Sequence, residues 1–156
     1  MASRPTLTGI RSIVKRYLQS AKTEWWAIKK QKLSRWYRDW DLTYDTKAPP
    51  ELALPRHTLQ RLIATRTNHG DFAWYHRKFC HEDAKLECSC GMDKTPDHMI
   101  HCRRTRRLFA RWPNRPFWPP ANRTEGLTYL GQLMKSPQDF ADFLQVTDFY
   151  TNICTR

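Results

Sequence analysis

The segment Cys88-Ser89-Cys90-Gly91, followed by His98 and Cys102, constrains this chain more than any other feature. Its spacing is C-x-C-x7-H-x3-C. Three thiols and one imidazole are a donor set that a structural zinc ion takes in a tetrahedron. Gly91 stands just after the second cysteine, where the chain must turn sharply and a positive φ is useful. Thr95-Pro96 reads as an N-cap followed by proline at the first helical position. The helix it opens is expected to run to about Trp112, where Pro113 stops it. His98 and Cys102 are four apart on that helix and so point to one side. The C-x-C gap is tighter than usual. His101 and the more distant His81 are the substitutes for His98. The competing reading is that the cysteines are reduced and merely fill space. Against it, Ser89, Gly91, Asp93 and Lys94 make a polar loop with little apolar material to bury them. Four protein ligands leave no open position, so the ion would be structural. Cys80 and Cys154 lie outside the compact cluster and are expected not to be ligands.

A metal staple suits the rest of the composition. The chain has 156 residues, with seven Trp, seven Phe and six Tyr, yet hydrophobic residues, Cys and Met included, make up only 40% of it. Mean hydropathy is −0.78. Such a chain builds a core, but a small one. Helical periodicity dominates. Ile10, Val14, Tyr17, Ala21, Trp25 and Ile28 recur at steps of three and four, and the pattern continues less regularly through Leu33, Trp36, Tyr37 and Trp40. Ala48-Pro49-Pro50 ends this region. Pro55 suits the first turn of a second helix with Leu59, Leu62 and Ile63 facing inward. Asn68-His69-Gly70 reads as a turn, and Asp71 as the N-cap of a short helix carrying Phe72, Trp74, Tyr75 and Phe79. Pro113 to Pro120 reads as a linker or extended arm. Ser136-Pro137 opens a last helix with Phe140, Phe143, Leu144, Thr147 and Tyr150 on one face. No repeat or alternating strand pattern is present. The fold class is therefore mainly α: a small helical domain stapled by a Cys3His knuckle, with a Pro-rich linker before C-terminal helices. Its expected parts are a basic segment over 1–50, a helical core with the knuckle over 51–112, and the linker and C-terminal helices over 113–156, packed on the same domain.

The formal net charge is +12, and the surplus lies in two stretches, 1–50 and 88–116. Concentrated charge of this kind suits a nucleic-acid partner better than it suits mere solubility. In the second stretch Arg103, Arg104, Arg106, Arg107 and Arg111 follow the knuckle. Arg103, Arg107 and Arg111 would form one stripe of the expected helix, opposite an inward stripe of His98, Cys102, Thr105 and Phe109. Arg grips phosphates bidentately and stacks on bases. In the first stretch Lys15, Arg16, Lys22, Lys29, Lys30 and Lys32 lie mostly off the apolar face. Trp26, Trp36 and Trp40 are candidates for stacking or partner contact, whereas Trp25 and Trp74 are assigned to the core.

Other chemistries find little support. His57, His69 and His76 are scattered. Asp39, Asp41 and Asp45 form one local run with no second acidic group nearby, and a helix-end role suffices for them. No Gly-rich phosphate loop, Ser–His–Asp arrangement or paired catalytic carboxylate stands out, so no enzyme activity and no small-molecule substrate are expected. No apolar run has the length of a membrane span, and no conventional signal peptide is recognisable. The expected setting is the nucleus or cytoplasm.

The stretch from Leu54 to His76 (LPRHTLQRLIATRTNHGDFAWYH), together with the Cys88–Cys102 cluster, resembles the C-terminal region of fungal non-LTR (LINE-type) retrotransposon polyproteins. There it follows the reverse transcriptase and RNase H domains. The resemblance extends over roughly residues 10–154. It implies a zinc knuckle with Cys88, Cys90, His98 and Cys102 as ligands, helping an element protein hold its RNA or target DNA. The polymerase has no room here and the RNase H acidic residues are not recognisable. Two function readings follow. One is a non-catalytic nucleic-acid-binding module. The other is a co-opted fragment, such as a fungal effector or selfish-element product, that acts through contact with a host protein.

Overall fold

The computed structural model describes residues 6–43 and 47–155. Asp45 and the extreme N-terminus considered above lie outside them. The chain divides into two units, Met1–Ala48 and Pro49–Arg156, and the described residues are mainly helical, as the periodicity predicts. Their sole β feature is an isolated bridge between Glu87 and Asp93.

In the first unit, α1 spans Leu7–Lys30. Thr6 caps it, its Oγ1 accepting from the Gly9 amide at 3.1 Å, which satisfies one of the amides a helix start leaves unpaired. No α1 side chain is buried. The apolar positions that set its periodicity are exposed, and Trp25, expected in the core, is 53% exposed. The helix stops where Ser34 caps a single turn, α2 (Arg35–Arg38), instead of running on to Trp40. The chain then folds back on the end of α1. The Trp26 indole donates to the Leu42 carbonyl at 3.2 Å, and Lys30 forms an ion pair with Asp41. Trp40 is buried, with Trp36 half-buried edge-on against it at 4.9 Å. Burial removes Trp40 from the stacking candidates.

In the second unit, Pro50–Ala53 forms a 3-10 turn, and α3 (Arg56–Thr67) follows with Pro55 as its N-cap residue, not inside its first turn. The buried face of α3 is Thr58, Leu62, Thr65 and Arg66. Ile63 is exposed and Leu59 half-buried, so the inward face is rotated from the one expected. The rotation follows the needs of Arg66, whose guanidinium donates from Nε to the Met134 carbonyl at 3.0 Å and pairs with Glu51. A buried guanidinium is stable only with such partners. Asn68, in the left-handed region at φ 58°, ends α3. α4 (Ala73–Lys78) has Phe72 as its N-cap residue and no side-chain cap. The Asp71 carboxylate is directed elsewhere, to His76 and Lys94.

Two elements complete the core. Asn122 caps α7 (Arg123–Lys135), its Oδ1 accepting from the Glu125 amide while Glu125 accepts from the Ala121 amide, a variant of the capping box in which the carboxylate reaches one residue beyond the N-cap. Ser136 caps α8 (Pro137–Thr147), with Pro137 at its first position as expected. α7 and α8 pack together, and α3 packs on α8. Leu62, Leu130, Leu133, Met134, Phe140 and Phe143 are fully buried. Trp112 is buried, stacked on Tyr129 at 5.3 Å and edge-on to Phe143 at 5.1 Å. The Pro-rich stretch is thus no free linker. Tyr129 donates to the Pro113 carbonyl at 2.6 Å, Arg106 donates to the Pro120 carbonyl at 2.7 Å, and Pro120 is fully buried.

Candidate metal centre and the arginine segment

The cysteine loop is built by its own backbone. The Cys88 amide donates to the Met92 carbonyl and the Gly91 amide to the Cys88 carbonyl, both at 2.8 Å, while Lys94 donates to Leu86 at 2.9 Å. Gly91 holds φ at +85°, a conformation that side chains with a Cβ resist. This tight return allows the close C-x-C spacing to present both thiols on one side.

The other two ligands do not come from one long helix. α5 covers only His98–His101. Cys102 then takes an extended ψ of 124°, and α6 begins at once with Arg103–Arg106. A 3-10 turn, Phe109–Arg111, follows. The continuous helix expected to Trp112 is therefore broken at the last ligand. The break has a physical cause. Cys102 is fully buried, and its thiol is aimed at Cys88, 4.0 Å away between sulfurs.

The four ligand atoms of Cys88, Cys90, His98 and Cys102 lie within 4.8 Å of one another, and all four residues are buried. Among the described residues this is the sole such group. The Cys90 sulfur is 3.3 Å from His98 Nε2. A tetrahedral ion with bonds of about 2.3 Å to sulfur would space two sulfurs by about 3.8 Å, close to the Cys88–Cys102 separation. The arrangement can hold a metal ion. Its protonation chemistry agrees. Burial holds the His98 imidazole below its usual range and therefore neutral, the form that ligates. Burial pushes Cys102 up to about 11. Burial also raises Cys88, but amide and thiol hydrogen bonds, the Cys90 amide foremost, bring it below its ordinary value. Gathering several thiolates without water is costly unless a cation offsets their charge.

The remaining cysteines separate clearly. Cys80 is exposed. Cys154 is buried and hydrogen-bonds to Cys88, while burial raises its own thiol to about 12. It belongs to the surroundings of the four and not to the four themselves. Sequence reasoning missed this, together with the π-helical turn Phe149–Ile153 that carries the chain back over the loop. There Cys88 and Ser89 both donate to the Ile153 carbonyl. His101 sits on the far side of α5, against α7, and His81 pairs with His76 at 3.0 Å. Neither joins the cluster. Asp71, whose carboxylate bonds His76 at 2.9 Å and Lys94 at 3.2 Å, ties α4 to the loop. Lys94, read as part of a polar loop with little to bury it, is 2% exposed.

Of the basic candidates after the knuckle, Arg103, Arg104, Arg107 and Arg111 are exposed and, among the described residues, form no ion pair. Because the helix is broken, Arg103, Arg107 and Arg111 do not form one helical stripe. Arg106 is half-buried and engaged with Pro120. Lys15, Arg16, Lys22, Lys29 and Lys32 are exposed in the other unit, and Lys30 is held by Asp41. Asp39 lies 3.8 Å from Arg35. No helix among the described residues is long and apolar enough to cross a membrane.

No protein-family model, curated protein or solved structure matches the chain.

Proposed function

We propose that this protein is a zinc-stabilised, non-catalytic nucleic-acid-binding module, akin to the C-terminal region of a LINE-type retrotransposon protein. The observation that carries this reading is the junction at Cys102. The last residue of the four-membered cluster is directly followed by a segment with four exposed arginines that form no ion pair among the described residues. The donor set of three sulfurs and one nitrogen favours zinc among the common divalent ions. The metal would be structural, since four protein ligands leave no position for a substrate or a water. Its part is to fix the loop; the arginines then face phosphates. Metal analysis of the purified full chain, with gel-shift titrations of RNA and duplex DNA at two salt concentrations, tests this. One zinc per chain and an affinity that falls steeply with salt are expected. Absence of binding at low salt overturns the reading.

A second reading draws on α1. Leu7, Tyr17, Trp25 and Ile28 are 77%, 72%, 53% and 61% exposed, an apolar face more typical of protein contact. On that reading the chain is a co-opted fragment that meets a host protein. A specific protein partner, with no nucleic-acid affinity, would favour it.

A further inference from the structure

We infer that Phe117 and Trp118 form a stacking platform for the bases of single-stranded nucleic acid. This deepens the nucleic-acid reading above and rests on it. In the second unit Phe72, Trp112, Tyr129, Phe140, Phe143 and Phe149 are buried, Trp74, Tyr75, Phe109 and Tyr150 are half-buried, and Phe79 is 50% exposed. Phe117 and Trp118 exceed all of these, at 82% and 74% exposed. They are neighbours in sequence, set edge-on with centroids 4.9 Å apart. Single exposed hydrophobics are ordinary; an adjacent exposed pair held in place is not.

The pair is held by its flanks. Pro116, Pro119 and Pro120 restrict the backbone on either side. Pro120 is fully buried, its carbonyl accepting from Arg106 at 2.7 Å. On the other flank, the Arg115 guanidinium lies 5.0 Å from the Phe109 ring centroid. Both anchors, Arg106 and Phe109, belong to the arginine segment. Phe117 is two residues from Arg115 and Trp118 two from Pro120, so each lies within roughly 7 Å of backbone reach of an anchor. The aromatic pair is thereby tethered on both flanks to the segment that carries Arg107 and Arg111, both exposed.

The chemistry of this surface selects its occupant. Unpaired guanidinium groups call for an anionic partner, and two exposed rings call for flat apolar faces carried on the same molecule. A single strand offers phosphates and unstacked bases together, whereas a duplex keeps its bases stacked inside. Rings of this kind accept any base, so little sequence preference is expected.

The test compares oligo(rU), oligo(dT) and a mixed-sequence DNA duplex of the same length, titrated against the full-length chain, Trp118→Phe and Phe117→Ala/Trp118→Ala. Both side chains are largely in water, so the variants should fold; unchanged metal content and melting temperature verify it. The double alanine variant should lose about fivefold to a hundredfold in single-strand affinity. Its duplex affinity and its salt slope should not change, because no charge is removed. Trp118→Phe should keep most of the single-strand affinity. If the double variant binds single strands as tightly as the parent, this inference is overturned alone, and the pair is left to a protein partner. If the parent binds neither single strand nor duplex at low salt, the nucleic-acid reading falls and takes this inference with it.

Discussion

A methyl group added at Gly126 would lie 2.3 Å from both Cε1 and Nε2 of the His101 imidazole. The His101 ring therefore rests on α7 in the space that a side chain at position 126 would fill. His101 Nε2 is buried against α7 with no hydrogen-bond partner among the described residues. Gly126→Ala is expected to cost about 1–3 kcal/mol through overpacking, read as a lower urea midpoint at constant m-value. His101→Ala in the same chain should restore part of the loss and leave the metal stoichiometry unchanged. An unshifted midpoint for Gly126→Ala would show that the ring moves aside freely.

The metal reading makes a separate demand. Structural zinc sites contribute about 10–16 kcal/mol, which rivals the whole stability of a domain of this size. Chelation should therefore abolish the order of at least residues 88–112, visible as lost helical signal and rapid amide exchange. Cys102→Ser should lose the ion. Cys80→Ser and Cys154→Ser should keep one ion per chain. Loss of metal in Cys154→Ser would mean that the hydrogen bond from Cys154 to Cys88 conceals a ligand exchange.

Lys94 is buried, and its ammonium faces the Asp71 carboxylate. Asp71→Asn would strand that charge, at a cost of about 3 kcal/mol, the low end for a buried pair because Asp71 keeps some contact with water. Asp71→Asn/Lys94→Met should recover most of it. Partial burial raises the Asp71 carboxyl, but its bonds to His76 and Lys94 outweigh this and hold it below 3.8. Its folded value is depressed, so its contribution is fully present above pH 3.8 and is lost as pH falls through the lower folded value. The stability gap between the parent and Asp71→Asn should close below about pH 4.

Arg103→Ala, Arg107→Ala and Arg111→Ala combined should weaken binding to all sequences alike. The salt slope should flatten by about 2 to 3, each lost phosphate contact contributing about 0.7 to 0.9. These side chains are exposed and unpaired, so melting temperature and metal content should hold. Full affinity and an unchanged slope in this triple variant would identify the segment as a merely solvated surface and move the protein-contact reading ahead.

What was legible in the sequence was local chemistry. The ligand spacing, the turn at Gly91 and the Ser136-Pro137 start of α8 each depend on a few neighbouring residues with one strong physical preference. The break at Cys102 was not legible, because His98, Cys102, Thr105 and Phe109 keep helical spacing. The extended ψ answers to Cys88, which is distant in sequence. The inward face of α3 was misread for the same reason: Arg66, which sets it, bonds the Met134 carbonyl on another helix. α7 left more of a trace, in the Asn122–Glu125 capping box and the 3–4 spacing of Gly126, Tyr129, Leu130, Leu133 and Met134. The Pro-rich stretch before it and the glycine within it masked that trace. Trp25 and Trp40 exchanged places because a shared helical spacing does not say which tryptophan the returning chain will cover.

The break at Cys102 also bears on how the surface charge responds to its surroundings. α5 and α6 are single turns of four residues each, too short to persist in water by themselves. The arginines after Cys102 are therefore held from two sides, by the cluster at Cys102 and by Thr105, Arg106 and Trp112 in the core. Oxidising a cysteine of the cluster would leave every positive charge in place yet free one of those two holds, loosening a shaped cationic surface toward a polyelectrolyte. Net charge would stay constant through that change, while its arrangement in space would not.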